Sequence, residues 1–189
     1  MKLLKITMLG IALQTSSTFA FPKAKPSVAL GITHSEIRSL SSEFKASSNR
    51  ISPFYGAYAE IEINGPSSLK IGGILAQKEV GISSATLSGN IDLTYLEIPI
   101  SYVYTINDNW SVFGGLRTSL LLHQGSCYSN GVKCPGYDFN SYFLTSDFGA
   151  SRNIYKNFSL EFSTSVGLTS IGKALYHDGS LYVSLSSSF

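Results

Sequence analysis

Apolar and polar side chains alternate along much of this chain, and the last ten residues show the alternation most clearly. One side of this segment is apolar, and serine dominates the other. The apolar set is Leu181, Val183, Leu185 and Phe189. A period of two indicates an extended strand rather than a helix. In a membrane barrel the apolar side chains would face lipid, the small polar ones the lumen, and a final aromatic residue the interface.

The same alternation predicts eight strands. They cover residues 28–33, 54–63, 69–78, 93–105, 110–122, 140–151, 158–169 and 180–189. Along these segments one face carries mostly Leu, Ile, Val and aromatic residues, whereas the charged residues fall on the other face. A soluble ligand-binding barrel would instead place its apolar residues inside. The pattern therefore favours a barrel whose outer wall contacts lipid.

The predicted connections are of two kinds. Residues 64–67, 107–109 and 153–157 are short and rich in Asn, Asp and Gly, which suit tight turns. Longer polar connections occupy residues 38–52, 79–92, 123–138 and 172–179. Short turns that alternate with long loops are typical of outer-membrane barrels, with the turns in the periplasm and the loops outside. Closure of the sheet removes the edges that lipid would not tolerate.

The first twenty residues have the composition of a secretory signal peptide. A short basic start is followed by an apolar run over residues 6–13, which is too short to span a bilayer. Small residues then lead to Ala20, and we expect cleavage after it. Residues 1–20 are therefore predicted to be a signal peptide and residues 21–189 one barrel domain; a retained N-terminal anchor is the alternative.

Composition excludes some classes of protein and adds one covalent feature. Charged residues make up 14% of the chain and the net charge is +2, so nothing suggests a nucleic-acid partner. Outside the signal segment no apolar run is long enough for a membrane helix. An exported chain meets an oxidising compartment, so Cys127 and Cys134 are predicted to form a disulfide. Free thiols are the alternative, and two thiols without a nearby His make a poor zinc site.

The strand at Tyr95–Ile100, with the sequence Tyr-Leu-Glu-Ile-Pro-Ile, is the most specific internal motif. It resembles a strand of the porin-like outer membrane β-barrel domain family, the small barrels of OmpA/OmpX type. Strand glycines similar to that family's recur in the pairs 72–73 and 114–115, at 149 and at 167. The resemblance covers residues 27–189 and implies an all-β fold. The implied fold is an eight-stranded antiparallel up-and-down transmembrane β-barrel in a bacterial outer membrane.

Two residues depart from an ideal strand of this family. Ser187 stands where the C-terminal assembly signal usually has an apolar residue, although Val183, Leu185 and Phe189 keep the rest of that signal. Pro99 lacks the N–H that a ladder bond needs, so we expect a bulge or a solvated carbonyl there.

By strand parity, most of the charged side chains are predicted to point into the barrel. The predicted interior set is Glu60, Glu62, Lys70, Glu97, Arg117, Asp147 and Glu161. Hairpin symmetry places Glu60 near Lys70, and Glu97 near Arg117. One interpretation is a polar core that fills a narrow barrel. The other is a narrow ion path, which the excess of acids would make cation-preferring.

Catalysis is not expected from this sequence. A lipid A-modifying hydrolase would need a His oriented beside a Ser. His34, His123 and His177 are predicted at the extracellular end, but His34 and Ser35 are adjacent and face opposite sides of a strand. We predict no catalytic residues, cofactor or resident metal, with a metal held by loop histidines as an alternative.

The expected function is that of an integral barrel with four surface loops. Loops on a rigid scaffold commonly carry recognition, so we expect surface interaction such as adhesion to a host or surface ligand. The other expected partners are outer-membrane lipid, lipopolysaccharide, and the barrel-assembly machinery through the C-terminal strand.

Overall fold

Eight long antiparallel strands form the fold. A computed structural model describes residues 24–39, 45–47, 51–83, 88–125, 128–129, 132–133, 139–172 and 175–189. Within those residues the eight strands are β1 (Ala24–Ser39), β2 (Ile51–Asn64), β3 (Ser67–Ser83), β4 (Ser88–Asn107), β5 (Trp110–Gln124), β6 (Tyr142–Tyr155), β7 (Phe158–Gly167) and β8 (Leu175–Ser188). In the described part of the chain, no helix is long and apolar enough to cross a bilayer.

The sheet closes on itself, as predicted. Each strand pairs with its neighbours in the chain, and β8 pairs with both β7 and β1. The closing ladder joins Ser27 to Ser188, and the amide of Phe189 donates a hydrogen bond to the carbonyl of Pro26 at 3.1 Å. Closure leaves no unpaired edge facing lipid, which is the condition for a sheet to cross a membrane.

Three tight turns and both ends of the described barrel lie at one end of the molecule. The turns are Gly65–Pro66, Asp108–Asn109 and Lys156–Asn157. Gly65 has a φ of +44°, which an L side chain rarely adopts, and Asn107 Oδ1 accepts hydrogen bonds from the next turn's Asn109 and Trp110 amides at 3.0 Å. The third turn is shorter than predicted because β6 continues to Tyr155. By the rule for short turns, this end is the periplasmic one.

The outer wall carries an apolar band. On β4 the outward positions from Leu96 to Ile106 are all aliphatic or aromatic, and Ile100, Tyr102, Tyr104 and Ile106 are exposed. At about 3.4 Å per residue and a tilt of about 45°, these ten residue steps span about 24 Å. That height matches the band of outer-membrane barrels, about 25 Å.

Two of the predicted long loops are wrong, because the strands continue through them. The predicted connection 79–92 is mostly strand, since β3 runs to Ser83 and pairs with β4 from Ser88. The predicted connection 172–179 is also shortened, since β8 begins at Leu175. The inward alternation continues past the lipid band with Val80 and Ile91, which are 0% and 2% exposed. Burial of these side chains favours continued pairing over loop.

Short segments complete the described extracellular end. Lys45–Ser47 pairs with the end of β3, Ser170–Gly172 pairs with the start of β8, and Tyr128–Ser129 forms a small hairpin with Val132–Lys133.

Pro99 interrupts a ladder without a bulge. Ile71 pairs with Ile100 and Ile74 with Glu97, so the register is the same on both sides of the proline. Between these pairs, Gly72 and Gly73 have no partner on β4. The predicted bulge is therefore wrong, and a local gap in the pairing accommodates the missing N–H instead.

We predict that two glycines, on the strands that flank β4, respond differently to the same substitution. A Cβ on Gly115 would overlap the carbonyl oxygen of Ile100, whereas a Cβ on Gly73 would meet its nearest atom, Leu96 Cδ1, at 3.9 Å. Gly115→Ala is expected to lower the free energy of unfolding by about 1–3 kcal/mol. Gly73→Ala is expected to be neutral or to stabilise by up to about 1 kcal/mol. The measurement is urea unfolding in detergent, followed by the heat-modifiable gel mobility of the folded barrel; equal midpoints would contradict the close approach at Gly115.

Candidate functional site

The lumen is filled at mid-height by a layer of four charged side chains. Arg117 on β5 donates from Nε to Asp147 Oδ2 at 2.6 Å and from a terminal nitrogen to Glu97 Oε2 at 2.8 Å. Lys78 on β3 forms an ion pair with Glu97 Oε1 at 2.7 Å. Glu97 is 0% exposed and Asp147 is 1% exposed. Two cations and two anions from β3, β4, β5 and β6 therefore make a buried, electrically balanced group.

Aromatic side chains close the layer from the other wall. Tyr182 on β8 places its ring 4.0 Å from the guanidinium carbon of Arg117 and donates its hydroxyl to Glu97 Oε2 at 3.3 Å. Phe54 on β2 packs edge-on against Tyr182 at 5.6 Å, with Ile74 and Ala76 beside it. At this height the lumen is ionic on one side and apolar on the other, and side chains span it.

An apolar layer lies on the extracellular side of the charges. Its buried members are Val80, Ile91, Leu93, Tyr95, Phe143 and Ile171. The rings of Tyr95 and Phe143 meet edge to face at 5.2 Å, and the Lys78 ammonium lies 5.1 Å from the centroid of the Phe143 ring. A cation over aromatic faces is held electrostatically even where water is excluded. The lumen is therefore filled by side chains at two levels, the ionic layer and this apolar layer.

The periplasmic half is more open. Lys70 forms an ion pair with Glu161 at 2.6 Å and lies 4.3 Å from the centre of the Tyr58 ring. Between this pair and the central layer there is a cavity of about 20 Å³, lined on its sides by Pro99 and Phe113 among others. Below it a vestibule of about 290 Å³ opens toward the periplasm, with mainly polar residues around it.

The predicted interior charges are distributed over both levels. Glu60 lies directly opposite Lys70, the register that hairpin symmetry predicts. Lys70 nevertheless pairs with Glu161 across the lumen, while Glu60 accepts a hydrogen bond from Ser68 at 2.5 Å. Glu62 lies at the periplasmic rim, where it forms an exposed ion pair with Lys25 at 2.7 Å. The sequence did not reveal the pairing of Lys70 with Glu161, because the two side chains meet across the closed barrel.

Glu97 and Arg117 are diagonal neighbours on adjacent strands. Glu97 lies opposite Ser119, and Arg117 lies opposite Pro99. The offset of two residues lets the long arginine side chain reach the carboxylate.

Lys78 is the charged residue that the sequence analysis missed. It shares the inward parity of Lys70 on β3, which was the available signal, but it stood at the predicted end of the strand. With Lys78 included, the central layer contains two cations and two anions. The predicted excess of acidic side chains in the lumen therefore does not apply to this layer.

The other predicted site residues lie apart from this layer. Ser35 points inward and accepts a hydrogen bond from Ser180 at 2.8 Å, whereas His34 lies on the outward side of β1. His123 is exposed near the end of β5. Val183, Leu185 and Phe189 share the outward face of β8, and Phe189 is 73% exposed.

Several predictions fall outside the described residues. They are the signal peptide with cleavage after Ala20, the Cys127–Cys134 disulfide and the side chain of His177. Within the described part, no three His, Cys, Asp or Glu side chains lie close enough to hold a metal ion.

The described strands thus form a closed eight-stranded barrel with a lipid-facing apolar band and a filled polar lumen. A sequence profile described as "Outer membrane protein beta-barrel domain" matches residues 23–189. The chain belongs to this family. As an outer membrane protein β-barrel domain, it resides in the bacterial outer membrane, where its apolar band contacts lipid.

Solved structures with the same fold include two small outer-membrane proteins. Ail, the attachment invasion locus protein of Yersinia pestis, is 17% identical with a TM-score of 0.55, and the alignment covers 88% of this chain and 99% of that chain. OprG from Pseudomonas aeruginosa is 10% identical with a TM-score of 0.58, covering 89% and 97%. These likenesses show the barrel fold. No curated protein sequence matches the chain significantly.

We predict that the two ion pairs at different depths differ in their contribution to stability. Arg117→Met leaves Asp147 buried without its cation, so the free energy of unfolding is expected to fall by about 3–5 kcal/mol. Lys70→Met removes a cation of comparable length from a pair that borders the open vestibule, and its loss is expected to stay below about 2 kcal/mol. Urea unfolding followed by gel mobility tests both variants; equal losses would contradict the assignment of Arg117 as the central buried cation.

Proposed function

We propose that this outer-membrane barrel is a closed, non-conducting scaffold that presents its extracellular strand ends and loops for attachment to a surface ligand. The observation that carries the proposal is the filled lumen. A balanced ionic layer and an apolar layer lie one above the other, and the residues of both are buried. A barrel closed in this way leaves its outer end as the part that meets other molecules.

The ionic layer is poorly suited to conduct ions. Each carboxylate already contacts a cation at 2.6–2.8 Å, so an incoming ion would have to displace a buried partner. Loss of one partner of a buried pair typically costs about 3–5 kcal/mol. The layer is also balanced in charge, which removes the basis for a cation preference. These features favour a polar core over the narrow cation-preferring pore.

The extracellular end projects beyond the lipid band. On β3 and β4 the outward residues change from apolar to polar at Gln77 and Thr94, and the two strands remain paired up to Ser83 and Ser88. Six further residues at about 3.4 Å each, tilted by about 45°, raise this wall by about 14 Å above the band. A raised and paired wall is a rigid platform for loops.

A structural neighbour supports the attachment hypothesis. Ail is named as an attachment invasion locus protein, and it has also been crystallised with the heparin analogue sucrose octasulfate, in a form with a TM-score of 0.58 to this chain and 17% identity. Its fold alone is shared.

Other parts of the expected function stay predictions. We propose lipopolysaccharide as a neighbour at the outer leaflet, and recognition by the barrel-assembly machinery through Val183, Leu185 and Phe189. Lipid A modification is the less favoured enzymatic alternative, because His34 and Ser35 lie on opposite faces of β1.

We predict that the purified protein is electrically silent in planar lipid bilayers. The two filled layers leave no continuous path, so conductance is expected to stay at the baseline of a protein-free bilayer. A preparation of a general porin in the same lipid is the positive control for insertion. Reproducible cation-selective steps from the wild-type protein would overturn the closed scaffold and favour the pore.

We predict that the extracellular connections carry attachment. The full chain, produced at the surface of a non-adherent bacterium, is expected to increase attachment to host cells. Replacement of residues 40–50 or of residues 126–138 by a short Gly-Ser linker is expected to reduce that attachment severalfold in at least one variant. Lys25→Gln, which changes the periplasmic rim alone, is the matched control.

Gel mobility and surface labelling must show equal amounts of folded barrel in all of these strains. Attachment by the full chain no greater than that of cells without it would overturn the proposed function. Full attachment by both linker variants would exclude those two connections as the binding surface.

A further inference from the structure

The outward face of the described strands carries few charged side chains, and one of them is a cation near the periplasmic end. Among the outward strand positions whose side chains are described, the charged residues are Glu79, Asp92 and Arg152. The two acids lie on the raised extracellular wall. Arg152 lies on β6, where the outward neighbours Phe148 and Ile154 are 56% and 57% exposed to lipid.

Arg152 has no anionic partner in the described protein. None of the ion pairs among the described residues includes it. The nearest turn contains Asp108, but that carboxylate is not within ion-pair distance. An unpaired arginine on a lipid-facing wall costs about 2–4 kcal/mol at the midplane and about 0–1 kcal/mol at the interface. Arg152 is therefore tolerated far better at the membrane interface than in the lipid core.

Aromatic residues fix Arg152 at the level of the lipid headgroups. Arg152 lies directly opposite Trp110 in the ladder, and its guanidinium carbon lies 5.4 Å from the centre of the Trp110 ring. Tyr155 and Phe158, at the end of the same hairpin, are 63% and 44% exposed. Trp and Tyr at such positions form the belts that mark the membrane–water interface. The cation–π contact with the indole also restricts the position of the guanidinium.

A second cation lies on the same hairpin. Lys156 follows β6 in the turn, and its ammonium lies 5.1 Å from the centre of the Tyr155 ring. Four positions along the chain separate it from Arg152, a distance of at most about 14 Å in a strand. Lys156 also lines the luminal vestibule, so Arg152 is the cation on the lipid-facing side of this hairpin.

We propose that Arg152, in cation–π contact with Trp110, binds the phosphodiester of an anionic glycerophospholipid such as phosphatidylglycerol in the periplasmic leaflet. The guanidinium offers paired N–H donors that match two phosphate oxygens. A lipid with a net negative charge is favoured over a zwitterionic one because its headgroup brings no ammonium to compete with Arg152.

The chain provides its own reporter for this site, because Trp110 is its only tryptophan. The protein is reconstituted in mixed bilayers that contain brominated phosphatidylglycerol or brominated phosphatidylcholine, and quenching of Trp110 fluorescence gives the relative binding constant of the two lipids. The wild-type protein is expected to prefer the anionic lipid about fivefold, the effect of one cation near an anionic surface. High salt is expected to weaken this preference.

Matched variants assign the preference to Arg152. Arg152→Gln is expected to bring the ratio close to one, and Arg152→Lys to retain part of the preference. Lys25→Gln removes one positive charge from the luminal side of the same rim, so its ratio is expected to equal that of the wild type. Equal quenching by both lipids in the wild type, or an unchanged preference in Arg152→Gln, would overturn the proposal.

One further arm separates lipid from free phosphate. Inorganic phosphate is added in place of chloride at matched ionic strength. An unchanged lipid ratio is expected if the site recognises the phosphodiester together with its acyl anchor. Loss of the preference in phosphate but not in chloride would assign the site to free phosphate and overturn the assignment to lipid.

Discussion

The positive charge of Arg117 at the centre of the lumen is the constraint that organises this barrel. A buried guanidinium is stable only if carboxylates and hydrogen-bond acceptors surround it. Glu97 and Asp147 supply these at 2.8 and 2.6 Å, and Tyr182 covers the planar face at 4.0 Å. Because these partners come from β4, β6 and β8, the arginine connects both halves of the closed sheet. The apolar layer above it excludes water and strengthens each contact.

Successive side chains of each strand point alternately into the lumen and toward lipid, so the inner and outer faces of the barrel carry different kinds of residue. Within the lipid band the strands present mainly apolar side chains to lipid, so most of the charged residues lie in the interior. In a barrel of eight strands the interior is just wide enough for side chains, and long charged groups fill it by reaching across. The same constraint that forces Lys70 and Arg117 inward therefore also closes the lumen. In a scaffold of this kind the transmembrane part is structural, and the proposed binding surface lies outside the membrane.

The local features of the fold could be predicted from the sequence, and the contacts across the barrel could not. Alternation predicted the eight strands, their lipid faces and the register of the Glu60–Lys70 hairpin, because each depends on neighbours in the chain. The Lys70–Glu161 pair joins residues 91 positions apart, and the stagger of the closed sheet decides which interior side chains share a level. Lys78 was missed because the strand continued beyond the lipid band, where period two no longer reflects contact with lipid. Its burial depends on the apolar layer above it, which forms only in the closed barrel.

The position of Tyr182 on the last strand has a consequence for biogenesis. Until β8 docks against β1, the lumen is an open trough and the guanidinium of Arg117 lacks its aromatic cover. The final strand thus completes the sheet and the interior in a single event, and a chain truncated before it retains a water-exposed charged furrow. A copy that lacks β8 would leave the edges of β1 and β7 unpaired in lipid, so we expect cells to degrade it.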